Sequence, residues 1–133
     1  MIPRYRVWDK QTERMHIVSG IDFNDGLVSS VNIWHEGWPW VLEPDEIALM
    51  QSTGMKDKNG VEIFEGDIVA VENHPFQRKE DSSAGMEIEG DYVVGWNQHD
   101  LTWCAGDLLL ARLKPYVRVI GNIYENSELL ERS

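Results

Sequence analysis

Apolar positions along the chain come in short runs, separated by polar clusters rich in Gly, Asn and Asp. That is the pattern of strands joined by tight turns. Tyr5 to Trp8 and Met15 to Val18 read as two strands, with Asp9-Lys10-Gln11-Thr12-Glu13-Arg14 joining them as a hairpin. Ile21 and Phe23 lead into the turn Asn24-Asp25-Gly26, and Leu27 to Ile33 returns as a further strand. Residues 1–48 are therefore expected to form an amino-terminal β-meander. Pro39 cannot donate to a β-ladder, so His35 to Trp40 must be an edge or a loop. Pro44, with Asp45 and Glu46 after it, suits the opening of a single helical turn.

The stretch Leu49 to Glu72 has the clearest local grammar. Asn59-Gly60 is a dipeptide that takes the positive φ angles of a hairpin turn, at Gly60 and also at Asn59. Val61 to Phe64 is a brief strand, Glu65-Gly66-Asp67 a second turn, and Ile68-Val69-Ala70-Val71 a β-branched run that reads as a buried strand. Residues 73–89 are polar and turn-rich and are read as a mobile loop. Tyr92 to Trp96 and Leu101 to Cys104 form the next hairpin. With Asn97 to Asp100 as its loop, Trp96 faces Leu101 and Val94 faces Trp103, and Tyr92, Val94, Trp96, Leu101 and Trp103 share a core face. Leu108 to Leu113 suits a short helix or strand, ended by Pro115. Tyr116 to Ile123 is a late strand, and Asn126 can cap a last helical turn through Leu129 and Leu130. The sum is mainly β, a small antiparallel SH3-like barrel over residues 49–133 with the amino-terminal β extension and a short C-terminal helical turn, in one domain of residues 1–133.

Three pieces of the chain, in order, resemble one protein family. Leu49-Met50-Gln51-Ser52-Thr53-Gly54-Met55-Lys56-Asp57-Lys58-Asn59-Gly60, followed by Ile63-Phe64-Glu65-Gly66-Asp67-Ile68-Val69, is similar to the signature of the YopX family. Tyr5-Arg6-Val7-Trp8-Asp9 resembles that family's opening, and Val119-Ile120-Gly121-Asn122-Ile123-Tyr124-Glu125-Asn126 with Leu129-Leu130 its ending. Ser127 and Ser52 stand where the family usually has Pro and Tyr. The resemblance implies a phage or prophage setting and brings no catalytic residues with it.

Charge narrows the function classes. The 133 residues carry a formal charge of −11, which argues against undirected nucleic-acid binding, since that rests on Lys and Arg neutralising phosphates. From Met15 to Met55 there is no Lys or Arg, while Asp22, Asp25, Glu36, Glu43, Asp45 and Glu46 fall there. One cysteine, Cys104, leaves no internal disulfide and suits a reducing compartment. The start lacks the apolar run of a signal peptide, and no apolar stretch has the length needed to cross a bilayer. A cytoplasmic protein of the bacterial host, with no membrane partner, is expected.

Candidate chemistry is sparse. His16, His35, His74, His99 and Cys104 form none of the familiar metal-ligand spacings; His99 and Cys104, on opposite sides of one hairpin, are the pair most able to meet. Cys104 reads as a buried thiol without an adjacent cation. Ser82-Ser83 has nothing to hold it in an attacking geometry. Glu65 and Asp67 flank Gly66, where turn chemistry explains them better than an acid/base pair. No metal, cofactor or catalytic centre is therefore expected. The oddity is six tryptophans. Trp34, Trp38 and Trp40 share parity, so an extended chain would point them to one side. With Glu36, Asp45 and Glu46 they are the candidate interaction residues, docking a protein partner or a second copy of the chain, since Trp is a favoured anchor. A non-catalytic interaction or assembly module is the first expectation. An acidic decoy for the nucleic-acid site of a host protein is the second, and an enzyme whose site is assembled from distant residues the third.

Overall fold

The computed structural model describes residues 3–75 and 88–131. The chain divides into two compact units, Met1–Ser52 and Thr53–Ser133. Most of the expected 73–89 loop, Ser82 and Ser83 included, lies outside the described residues.

The first unit is an antiparallel meander: β1 (Tyr5–Asp9), β2 (Arg14–Asn24), β3 (Leu27–His35), β4 (Trp38–Leu42) and the start of β5 (Ile47–Lys56), in the spatial order β4-β3-β2-β1-β5. Its hairpins are closed by chemistry written into the loops. Asp9 accepts the backbone N–H of Gln11 and the Thr12 hydroxyl, at 3.0 and 2.9 Å, which folds the β1–β2 connection. Asp25-Gly26 and Glu36-Gly37 are two-residue loops with positive φ throughout, the twist that suits antiparallel neighbours. β2 pairs with β3 through two register shifts, between Val18 and Gly20 and between Asp22 and Phe23. Pro44–Glu46 forms the expected turn of 3-10 helix. Val7, Val31, Ile33 and Ile47 are buried together, with Val18, Val28, Leu42 and Leu49 packed against them.

In the second unit β5 has β6 (Glu62–Phe64) as its neighbour. A five-stranded antiparallel sheet follows, ordered β10-β9-β8-β7-β11, from β7 (Asp67–Val71), β8 (Gly90–Asn97), β9 (Thr102–Ala105), β10 (Leu108–Leu109) and β11 (Val117–Asn122). The barrel expected here does not close: β10 and β11 are the outer strands of an open sheet. The chain between them is spent on one turn of helix, α1 (Leu110–Leu113), and a 3-10 turn at Lys114–Tyr116 instead of a closing strand. Leu110 and Leu113 of α1 join Ile63, Val69, Val71, Val94, Trp103 and Val117 in the core. A last helical turn, α2, spans Glu128–Glu131.

The β8–β9 register differs from expectation. Trp96 pairs with Trp103 and Val94 with Ala105, so the loop is Gln98–Leu101. Asn97 decides this, because its side chain accepts the N–H groups of His99 and Asp100 and starts the turn one residue later. The shift of two preserves the faces but moves the ends out of the core. Trp103 is 8% exposed, whereas Trp96 is 44% and Leu101 71% exposed.

Candidate functional site

The polar residues of the family-like signature turn out to be occupied. Asp57 is buried, and its Oδ1 accepts the N–H groups of Asn59 and Val61 while its Oδ2 accepts that of Val119, all within 2.9 Å. Lys58 N–H donates to the carbonyl of Val117. Together these bonds satisfy the side of β11 that faces away from β7, where an open strand edge would otherwise stand bare. Burial pushes the Asp57 carboxyl up, but the three N–H groups more than offset it and hold it below the ordinary carboxylate range. Gly60 has φ +82° as expected, while Asn59 is not in the positive-φ region. The Asp57 side chain, bonded to Asn59 N–H, builds an ordinary turn that needs the left-handed residue only at Gly60.

The other signature residues follow the same rule. Asp67 is buried and accepts the Phe64 N–H at 2.7 Å across the Gly66 turn. Thr53 donates to the Ile63 carbonyl and accepts the Met55 N–H. Asn122 Oδ1 accepts from Tyr124 and Glu125, and the Asn122 N–H donates to the Asn126 side chain. The Asn126 side chain therefore bonds back to β11; its backbone carbonyl, not its side chain, takes the Leu129 N–H. Gly121 is required by that close approach, since a Cβ there would lie 2.5 Å from Asn126 Oδ1. Cys104 is buried in β9 opposite Gly95, and His99 sits exposed in the loop. Among the described residues no group of three or more His, Cys, Asp or Glu is placed to hold a metal ion.

The amino-terminal aromatics are different. Trp34, Trp38 and Trp40 are 64, 71 and 50% exposed. They do not share a face. The chain reverses at Glu36-Gly37, so Trp34 pairs with Pro39, whereas Trp38 pairs with His35 and Trp40 with Ile33. Cross-strand partners point to the same side of a sheet. Trp38 and Trp40 thus continue the face that carries the buried Ile33 and Val31, and Trp34 lies on the other. The parity expectation failed because it assumed one extended strand where the chain folds back on itself. β4 is the edge strand, and Pro39 occupies a particular place on it. In a two-residue hairpin the pair next to the loop, His35 and Trp38, exchanges the backbone bonds, so residue 39 points its backbone outward. Pro39 removes the N–H that would have faced a new strand. What this hairpin offers a neighbour is side chains.

Beside Trp40 lies a cleft of about 310 Å³, lined by Asp9, Thr12, Arg14, His16, Ile33, His35, Glu36, Trp40 and Leu42. The His16 and His35 rings meet edge to face at 5.2 Å, and His35 meets Trp40 in the same way at 5.7 Å. Glu36 Oε1 lies 3.7 Å from His35 Nε2. Burial, His35 and Arg14 lower the His16 pKa from its ordinary value, against an opposing pull from Asp9. Glu36 and Trp40 therefore line one cleft, and Trp38 lies outside its lining. Asp45 and Glu46 fall beyond the other end of β4, in the 3-10 turn, where Glu46 accepts the Gln11 amide at 2.7 Å. Asp9, His16 and His35 were not linked by any sequence motif; pairing of β1 with β2 and of β2 with β3 is what gathers them.

With this geometry in place, comparison with known proteins is informative. The YopX protein family matches residues 4–131, nearly the whole chain. The chain belongs to the YopX family. No curated protein matches it. The crystal structure of protein EF1440 from Enterococcus faecalis is similar over 98% of this chain and 99% of that one, with 28% sequence identity and a TM-score of 0.65. The family signature is thus carried by turn-forming and edge-capping residues, and the exposed hairpin and its cleft lie outside its central stretch. No helix among the described residues is long and apolar enough to cross a membrane.

Proposed function

We propose that this YopX-family chain is a non-catalytic protein-interaction module of phage or prophage origin, working in the cytoplasm of the bacterial host and docking its partner through the β3–β4 hairpin. The observation that carries this reading is the exposure of Trp38 and Trp40 on the same face as a buried core. Leaving such rings in water forfeits up to ~2–3 kcal/mol each in transfer free energy, which a partner would recover. Trp is also the residue most enriched at binding hot spots. The acids of residues 15–55, uncompensated by Lys or Arg, favour a partner with a basic surface. The signature side chains Asp57, Asp67, Thr53 and Asn122 support the non-catalytic part, because each accepts backbone N–H groups that hold a turn or a strand edge.

Affinity capture from host extract with the wild-type chain and with Trp38→Ala tests this, followed by re-binding of the captured protein in purified form. Sedimentation at several concentrations follows self-association in parallel. The expected result is a partner that re-binds the wild type and loses most of its affinity for Trp38→Ala. Equal binding by the two chains, or no re-binding with purified components, overturns the proposal.

A further inference from the structure

The cleft beside Trp40 has a composition that selects among possible contacts. Its floor is apolar, from Ile33 and Leu42, and its walls are the rings of His16, His35 and Trp40. Two carboxylates line it, Asp9 from the end of β1 and Glu36 from the β3–β4 loop. The Glu36 side chain is 79% exposed, with Oε1 3.7 Å from His35 Nε2, so its carboxylate stays accessible to a group entering the cleft. The volume suits one long side chain lying along the floor.

We infer that this cleft receives the cationic side chain of an arginine or lysine from the docking partner, its stem on Ile33 and Leu42, its charge against the Trp40 ring and Glu36. This rests on the docking role of the hairpin and names the chemistry that role would recognise. Cations are drawn to the face of an indole more than to that of any other aromatic side chain, and long alkyl stems cover apolar floors while their heads seek charge. The charge of the segment agrees: residues 15–55 hold six carboxylates, Glu36 of the cleft among them, and no Lys or Arg, an excess that steers a positive partner towards this part of the chain. One group opposes the assignment. Arg14 of β2 lines the same cleft, in register with Asp9, and an incoming cation must displace or outcompete it. The opposite assignment, an anion held by Arg14 with the two imidazoles, makes the reverse prediction for that residue, and this makes the question decidable.

The test uses the whole chain and small probes, followed by the ring signals of His16, His35 and Trp40 in NMR titrations. The probes are the N-acetyl amides of arginine, lysine, norleucine and glutamate. Arginine and lysine amides are expected to give saturable shifts at these rings, with norleucine amide weaker by about 3-fold or more, the size of an exposed cation–ring contact. Glu36→Gln and Trp40→Ala are each expected to weaken the arginine probe by a similar factor, and Arg14→Gln to strengthen it. Because Arg14, Glu36 and Trp40 are all exposed, the variants are expected to keep the fold, which the spectra report directly. Tighter binding of glutamate amide, lost in Arg14→Gln, overturns the inference in favour of an anion cleft. Absence of saturable shifts with the cationic probes overturns it outright. Trp38 does not line the cleft, so partner capture that fails with Trp38→Ala while the probes also fail leaves the docking role standing and removes only the cation.

Discussion

Two hairpins of this protein carry tryptophans on a face they share with core residues, and their rings meet different fates. In β8–β9, Trp103 and its neighbours Val94 and Ala105 are sealed in a core with Leu110 and Leu113 of α1. In β3–β4, Ile33 is buried but its cross-strand partner Trp40 is half exposed, and Trp38, nearer the loop, is more exposed still. Alternation assigns residues to a face. Whether that face is dry depends on what lies over it, and alternation is silent on that. The second unit supplies α1 as cover for its own sheet. Among the described residues the first unit has, beyond its strands, one helical element, the three-residue 3-10 turn at Pro44–Glu46.

The widest separation between the two hairpins is expected in stability. Trp103→Ala leaves a cavity lined by α1 and the sheet and is expected to cost roughly 3–5 kcal/mol in denaturant titration. Trp96→Ala, on the same face but at the rim, loses mainly its edge-to-face contact with Trp103 at 5.2 Å and is expected to cost about 1–2 kcal/mol. Equal costs for the two would mean that the face is uniformly dry and that the contrast drawn here is false.

Asp57 gives the next effect. Asp57→Ala orphans three backbone N–H groups and bares the outer side of β11, at about 3 kcal/mol. Asp57→Asn keeps an acceptor for Asn59 and Val61 but presents its amide NH2, a donor, to the Val119 N–H, and should cost about half as much. The linkage has a definite sign. The Asp57 carboxyl is held below its ordinary range in the folded chain, so its contribution is present in full above the unfolded pKa and is lost as pH falls through the depressed folded value. Urea titrations across the acid range should show the wild type losing more stability on acidification than Asp57→Asn. Parallel curves would remove Asp57 from this role.

Gly60→Val is smaller, at about 1–2 kcal/mol. Nothing lies within 4 Å of a Cβ built at Gly60, so the whole cost is the strain of a β-branched residue at positive φ. A thermal melt like that of the wild type would show that the turn can re-form in another conformation.

Much of the second unit was legible before the structure, and for a physical reason. Gly60, Gly66 and the run Ile68 to Val71 act locally, and local rules fix their conformation. The β8–β9 register was missed because Asn97 can end a strand or start a turn, and only its bonds to His99 and Asp100 decide which. A closed barrel was wrongly expected because Leu108 to Leu113 satisfies strand and helix alike; the chain uses two residues as β10 and four as α1 and leaves the sheet open. The cleft of Asp9, His16, His35 and Trp40 was illegible altogether. Its members come from four separate strands, and sequence separation hides what strand pairing assembles. Trp34, Trp38 and Trp40 were singled out correctly as exposed rings and wrongly as one face, because the Glu36-Gly37 reversal turns the order of faces over.

The smallest expected change in stability carries the most weight for function. Trp38 is the most exposed of the six tryptophans, at 71%, its backbone pairs with His35 whatever its side chain, and its ring closes no cavity. Trp38→Ala is therefore expected to shift unfolding by no more than about 0.5 kcal/mol, the range of ordinary surface substitutions, while weakening association. Denaturant titration and sedimentation of the same preparation measure both quantities. A loss of stability near that of Trp103→Ala would mean that the ring is covered in solution and that the hairpin is core, which removes the reason for docking there. Unchanged stability with unchanged association would leave an exposed indole with no partner. Only the combination of an intact fold with lost association separates a surface held open for binding from a sheet face that merely lacks a lid.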